Sequence, residues 1–394
     1  MSSKINEKIS GAEIFVRSLE AEGVETVFGY IGAKVIDIYD KLYDSKIRHI
    51  MPHHEQGGVH AADGYARSSG KTGVCIATSG PGASNMVTAL ATAHMDSVPL
   101  VAFTGQVPNT MIGTDGFQEA DIKGITMPIT KNNYIVNNVE DLAGIIKEAF
   151  HIASTGRPGP VLVDIPSNIL KAEAEFNYPK DVDLPGYSPT YAPNKLQIKR
   201  AVELINQSNK PIIYAGGGSI ISGADKEITE LAHKAEIPVT TTLNGIGIFD
   251  ENDDLSLGML GMHGTTQANL AISNSDLIIA LGARFDDRVT GKLEDFAVNA
   301  DVIHIDIDPA EIAKIVETKV PITADVRLGV QELLPKVNEV KRPAWLKEIE
   351  EWKNIDQKAE PAESQKLLPS EIIESLYELT EGEAIITAGV GQHQ

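Results

Sequence analysis

Glu55 is the residue in this chain best placed to do chemistry. It follows the apolar segment His49-Ile50-Met51-Pro52 and opens a stretch of small residues, Gly57-Gly58-Val59-His60-Ala61-Ala62. A strand-to-helix corner there would leave the carboxylate partly desolvated. In that setting an acid's pKa rises and it can share a proton with a nitrogen base. An acid in a first helical turn also serves as a partner for the helix dipole, and the segment alone leaves both uses open. A zinc helix of the H-E-x-x-H type is excluded, because position 58 is Gly58 and His60 falls on a different helical face from His54.

Glycine-rich turns are the second class of candidate. Ser79-Gly80-Pro81-Gly82-Ala83-Ser84-Asn85 lies between an apolar run and a helical segment, where free backbone N–H groups can face a polar ligand, although Asn85 replaces the third glycine of a dinucleotide fingerprint. Gly216-Gly217-Gly218-Ser219 also departs from that fingerprint, with Ile221 where a third glycine belongs. Gly282-Ala283-Arg284-Phe285-Asp286-Asp287-Arg288 and His304-Ile305-Asp306-Ile307-Asp308 end apolar runs in the same region. An aspartate there can bind a ribose and an arginine a phosphate, so these three turns together point to a nucleotide.

The elements that must position these groups alternate. Apolar runs at 25–30, 74–78, 99–104 and 157–166 read as strands, with a helix at 11–23 before the first and another at about 84–95 between the second and third. A polar, proline-dotted connector extends to about residue 194. Strands at 211–215, 238–242, 277–281 and 302–307 form a second series, followed by a charged linker from 341 to about 365. Then come a capped helix from Leu368 and a strand at 384–387, too little to bury a core, so they read as the opening of a third domain whose remainder is absent. The fold class is α/β with parallel sheets.

The 394 residues suffice for two or three domains, each with its own core. Lys and Arg number 34 against 55 Asp and Glu, and the resulting net charge of −21 argues against nucleic acid as a partner. The single cysteine, Cys75, cannot form an internal disulfide and sits in an apolar run, so a reducing, cytoplasmic setting is expected. No signal-peptide core or membrane-length apolar run is present, and no membrane partner is expected.

His54-Glu55-Gln56-Gly57, Ala61-Ala62-Asp63-Gly64-Tyr65-Ala66-Arg67, Thr78-Ser79-Gly80-Pro81-Gly82-Ala83, Gly105-Gln106-Val107-Pro108, the run 112–121, Thr155-Gly156-Arg157-Pro158-Gly159-Pro160, Gly261-Met262-His263-Gly264 and Phe285-Asp286-Asp287-Arg288-Val289-Thr290-Gly291 carry a family resemblance. Over nearly its whole length the chain resembles the large catalytic subunit of acetolactate synthase. The resemblance implies a thiamine diphosphate pyrimidine-binding domain (1–168), a Rossmann-like central FAD-binding domain (191–340) and the start of a truncated diphosphate-binding domain (366–394). It also implies a homodimer or homotetramer with the active site at the subunit interface, and a small regulatory subunit as a further partner. The implied activity is decarboxylation of pyruvate and condensation of the two-carbon unit with a second 2-keto acid, pyruvate or 2-ketobutyrate, in branched-chain amino acid biosynthesis.

Residue by residue, Glu55 matches the catalytic glutamate that hydrogen-bonds the aminopyrimidine ring nitrogen and favours the tautomer whose exocyclic nitrogen can accept a proton. Gln118 and Phe117 match residues lining the reaction centre, and Arg288 the arginine that holds the second substrate's carboxylate. Ser79, Asn85, Gln392 and His393 fall at thiamine diphosphate positions. Arg157, Gly217, Gly218, Met262, His263, Gly264, Arg284, Asp306 and Asp325 fall at FAD positions. The chain departs from the family at Ile31, Ala33 and Lys34, where a methyl group and a cation replace small residues of the loop expected near the reacting carbon, and at His53 and Ser167. The glycine-aspartate-glycine motif that would bind Mg²⁺ is absent from these 394 residues, so that site is expected beyond Gln394 and this chain alone is expected to be inactive. Another thiamine diphosphate decarboxylase or carboligase, or an inactive FAD-binding fragment, are the alternatives.

Overall fold

Val74-Cys75-Ile76-Ala77 and Val161-Leu162-Val163 are unbroken apolar runs too short for helices. Such runs suit strands covered on both faces. The computed structural model describes residues 8–357 and 368–391 and divides the chain into two compact units, Met1–Pro189 and Thr190–Gln394.

In the first unit six parallel strands lie in the spatial order Arg48–Ile50, Thr26–Gly29, Gly73–Ala77, Leu100–Gln106, Pro160–Pro166, Asn132–Ile135. Alternation along each strand feeds two cores. Ile76, Phe103 and Val163 pack with Phe15, Leu19 and Ile146 on one face, while Cys75, Ala102 and Leu162 pack with Val59 and Leu90 on the other. A short antiparallel pair, Lys8–Ser10 with Glu173–Glu175, lies outside this sheet.

The second unit repeats the plan with the order Ser256–Met259, Val239–Thr241, Pro211–Ala215, Leu277–Leu281, Asp301–Asp306, Val320–Thr323, all parallel. The chain winds outward from Pro211–Ala215 in one direction and from Leu277–Leu281 in the other, the doubly wound arrangement of a Rossmann-like sheet. The strands read as 211–215 and 277–281 have those bounds.

Two readings are corrected. Residues 343–357 are not linker: Pro343–Gln357 is a helix whose Trp345 and Ile349 are buried in the second unit's core with Ile212 and Ile278, and the rest of the expected linker beyond it lies outside the described residues. The many charges between its apolar residues hid a helical stripe at 345, 349 and 352. At 384–387 there is no strand, whereas the helix before it, Pro369–Thr380, is present. A strand needs a neighbour for its ladder, and none of the described strands pairs with this segment.

Candidate functional site

Glu55 is the first residue of the helix Glu55–Ser69, whose start is capped by His54: the Gln56 N–H donates to His54 Nδ1 at 3.1 Å. The helix ends at Gly70, with φ of 71°. The strand Arg48–Ile50 delivers the chain to this corner, and the Glu55 side chain remains partly exposed. Its Oε2 accepts a 2.9 Å hydrogen bond from Asn85 Nδ2. Asn85 is therefore a neighbour that orients Glu55, a contact across 30 residues of sequence.

The turn after Gly73–Ala77 gathers the remaining candidates. Gly80 has φ of 59°, and a Cβ there would stand 2.7 Å from the Gln118 carbonyl oxygen, so only glycine permits this approach. A Cβ on Gly82 would lie 3.2 Å from Glu55 Oε1 and 2.7 Å from Thr78 Cγ2. The turn thus holds Glu55 on one side and the Gln118 backbone on the other. Thr78 also binds the loop that follows Thr26–Gly29: its Oγ1 accepts from the Lys34 N–H at 3.2 Å, and a Cβ on Gly32 would sit 2.4 Å from Thr78 Cβ. Ile31, Ala33 and Lys34 are consequently on the same edge as Glu55.

That edge is where the sheet's connections change direction. From Thr26–Gly29 the chain moves outward to Arg48–Ile50, and from Gly73–Ala77 it moves the other way to Leu100–Gln106. Between the carboxyl ends of such strands no connection crosses, and open α/β sheets bind their ligands at such points. Ser79, in the turn at this edge, is 1% exposed, and its Oγ is among the buried polar atoms with no protein hydrogen-bond partner among the described residues. A buried, unpartnered hydroxyl beside a glycine cradle and a carboxylate suits a polar ligand that supplies the missing bond.

Gln118 has φ of 60° and Asp115 of 58°, both in the left-handed region. The Glu119 carboxylate closes this loop by accepting from the Gly116 N–H at 2.9 Å and from the Gly113 N–H. Those backbone donors, Gly113 foremost, hold the Glu119 carboxyl below the usual carboxylate range. Phe117 is 84% exposed, so no packing within the first unit fixes it. Arg157 lies at the opposite edge of this sheet, before Pro160–Pro166, where its Nε donates to Ser97 Oγ at 2.8 Å.

In the second unit, backbone hydrogen bonds bring most of the proposed nucleotide positions to one edge. The Gly218 N–H donates to the Gly282 carbonyl at 3.0 Å, the Gly282 N–H to Ile305 at 2.8 Å, and the Ala324 N–H to Asp306 at 3.0 Å. Gly217, Gly218, Arg284, Asp306 and Asp325 are thereby placed along successive strand ends, the glycines and Arg284 beside the switch point and the two aspartates further along the same edge. A separate contact, the Met262 N–H to the Arg288 carbonyl at 2.8 Å, joins the 261–264 turn to the 285–291 turn. Met262, His263 and Arg288 are exposed, and Arg288 Nε is 3.9 Å from Asp287 Oδ2.

Several of these residues have internal roles as well. Cβ atoms on Gly216 and Gly218 would collide with Gly282 at 2.3 and 2.8 Å, so those glycines allow two strand-end turns to interlock. Gly264 lies against the Met259 carbonyl, and Asp325 caps the helix Val326–Leu333 by accepting from the Leu328 N–H at 3.0 Å. Sequence reasoning missed Thr241, whose buried Oγ1 has no protein partner among the described residues, at the end of Val239–Thr241. Only its place at a strand end could have flagged it. Gln392 and His393 lie outside the described residues. Among the described residues, no group of three or more His, Cys, Asp or Glu is arranged to hold a metal ion, and no helix is long and apolar enough to cross a membrane.

Comparison with known proteins gives this geometry a family. Residues 9–125 match the N-terminal TPP binding domain of thiamine pyrophosphate enzymes, and residues 198–333 match the central domain of the same enzymes. Acetolactate synthase of Mycobacterium leprae is 50% identical, covering 98% of this chain and 63% of its own length. The acetolactate synthase large subunit of Corynebacterium glutamicum is 49% identical, again over 98% of this chain and 63% of that protein. The large subunit of Buchnera aphidicola subsp. Schizaphis graminum is 46% identical, with 98% of this chain and 69% of that protein aligned. The chain belongs to the acetolactate synthase large-subunit family. It spans about 63% of the length of the mycobacterial and corynebacterial members it matches. Within the family's two matched domains, the Glu55 edge lies in the TPP binding domain and the Gly218–Asp306 edge in the central domain.

Proposed function

We propose that this protein acts as an acetolactate synthase large subunit, joining the two-carbon unit left by pyruvate decarboxylation to a second 2-keto acid. The observation that carries the reading is the convergence of Glu55, Ser79 and Gln118 on one glycine turn at the switch point of the TPP binding domain. Thiamine diphosphate, when bound, would supply the carbon nucleophile and electron sink that side chains lack. Glu55 would hold a proton at the aminopyrimidine ring nitrogen, with Asn85 fixing the orientation of its carboxylate. Ser79 would donate to the ligand or accept from it, and Gly80 and Gly82 allow the turn to approach Gln118 and Glu55 closely. Gln118 and Phe117 would border the reacting centre, and Arg288 is the candidate for the second substrate's carboxylate.

FAD is proposed for the second unit, through Gly217, Gly218, Met262, His263, Gly264, Arg284, Asp306 and Asp325, with Arg157 assigned to it by resemblance alone. Mg²⁺ bound with the diphosphate, assembly as a homodimer or homotetramer, a small regulatory subunit and a cytoplasmic location belong to the same reading. The test is acetolactate formation from pyruvate, with thiamine diphosphate, Mg²⁺ and FAD supplied, by the protein expressed from its complete reading frame. Production of a different condensation product would move the assignment to another thiamine-dependent carboligase, and no turnover by correctly folded protein would overturn it.

A further inference from the structure

Behind the Gln118 loop lies a buried polar group that the proposed chemistry does not use. Thr104 and Gln106 on Leu100–Gln106 and Asp164 on the neighbouring Pro160–Pro166 are 1%, 3% and 1% exposed. Thr104 Oγ1 donates to Asp164 Oδ1 at 2.7 Å, and Gln106 Nε2 donates to Asp164 Oδ2 at 2.9 Å. Gln106 Oε1 accepts from the Val107 N–H at 2.8 Å. Nε2 also donates, at 2.9 Å, to the carbonyl of Ala120, two residues past Gln118. The Gln106 amide therefore makes three hydrogen bonds, and reversing it would set an oxygen against the Ala120 carbonyl and the Asp164 carboxylate.

The loop it touches needs such a restraint. Gln118 and Asp115 hold backbone conformations that L residues seldom adopt, and these persist only where the surroundings enforce them. Glu119 closes the loop on itself but does not connect it to the sheet. We propose that Gln106, held in one orientation by Asp164 and Thr104, is a positioning residue that ties the 113–121 loop to the sheet and so keeps Gln118 against the Gly80 turn. The inference rests on the reading of Gln118 as a reaction-centre residue, and a Coulombic reason for a carboxylate here, where burial opposes its charge, is that it orients the amide more firmly than a neutral acceptor would.

The decisive variant exchanges the pair: Gln106→Glu with Asp164→Asn. Net charge is unchanged, the amide introduced by Asp164→Asn can donate to the new carboxylate, and Val107 keeps an acceptor, but nothing donates to the Ala120 carbonyl. Gln106→Met, which removes the same tether without moving charge, guards against misfolding of the pair. Amide hydrogen exchange on the free protein should become about tenfold faster in residues 109–121, the effect of one such hydrogen bond, while Leu100–Gln106 and Pro160–Pro166 keep their protection. Unchanged exchange in 109–121 would overturn the tether, whether or not the enzyme reading holds. In the active protein, kcat should fall about tenfold with the apparent affinity for thiamine diphosphate retained. A loosened loop with unchanged kcat would overturn the positioning role, and absence of turnover in the unsubstituted protein would count against the proposed function while leaving the exchange result to judge the tether.

Discussion

Glu55 and Asp164 are two carboxylates of one unit in opposite settings. Glu55 is partly exposed and oriented by a single amide, so its use depends on a ligand meeting it. Glu55→Gln keeps the shape and the helix start but removes the acid, and should slow exchange of the bound cofactor's thiazolium C2 proton by a factor of about 10²–10⁴, followed by NMR. An unchanged rate would leave Glu55 as a dipole partner only. Asp164 is enclosed: burial pushes its carboxyl up to about 7, against the opposing pull of the Thr104 and Gln106 donors. Because the folded state then binds the proton more tightly than the unfolded chain, native protein carries more protons between about pH 4 and 7, and stability falls as pH rises through that window. The upper bound is roughly 4 kcal/mol, at about 1.4 kcal/mol per unit of displacement. Glu119 is displaced the other way, so the informative quantity is the difference between variants. Denaturant titrations at pH 4 and pH 8 should show a smaller loss for Asp164→Asn than for the unsubstituted chain, and equal losses would refute the assignment.

Between single residues and the whole chain, the elements show what a sequence conceals. Strands 211–215 and 277–281 were legible because five consecutive apolar residues between a charged residue and a glycine admit few other readings. The Glu55 corner was legible from the apolar segment before it and the run of small residues after it, although the His54 cap was not. The link from Asp164 through Gln106 to Ala120 was not, since its partners stand 58 and 14 residues apart and only the fold brings them together. Nor was the helix Pro343–Gln357, in which charged residues outnumber the apolar ones that pack against the cores, Trp345, Leu346, Ile349 and Trp352. It is joined to the second unit by Arg342, 5% exposed, which donates to the carbonyls of Ala235, Ile205 and Ser208 at the ends of Asp225–Ala235 and Lys195–Gln207. Those carbonyls are the negative ends of two helix dipoles, and the cation they receive is also in the field of the Asp276 and Glu236 carboxylates. Arg342→Met should cost roughly 2–3 kcal/mol, because it strands buried acceptors. The chain has two tryptophans, Trp345 and Trp352, both on this helix, so tryptophan fluorescence during unfolding reports on this attachment. A midpoint unchanged in urea would mean that water replaces the guanidinium without loss.

At the scale of the molecule, each unit is built on a parallel sheet with a set of candidate residues at the carboxyl ends of its strands, and each has its own pair of cores. The second unit's ligand can therefore be tested on its own terms. With a net charge of −21 the chain repels a dinucleotide diphosphate at long range, so retention of FAD has to come from local groups, chiefly the Arg284 turn beside Gly218 and the acid at Asp306. The interlocking of Gly216, Gly218 and Gly282 gives these turns a fixed shape before any ligand arrives, which lowers the ordering cost of binding. Titration of flavin-free protein should show uptake of FAD by flavin fluorescence, and Arg284→Ala should weaken it by about 10- to 100-fold, the worth of a charge-assisted hydrogen bond to phosphate. Glu55→Gln, in the other unit, should leave it unaltered. FAD should also slow amide exchange at 216–218 and 282–288 without slowing it at 78–85, because a ligand stabilises the structure it binds. Protection appearing at 78–85 instead, or uptake that ignores Arg284, would remove FAD from the second unit.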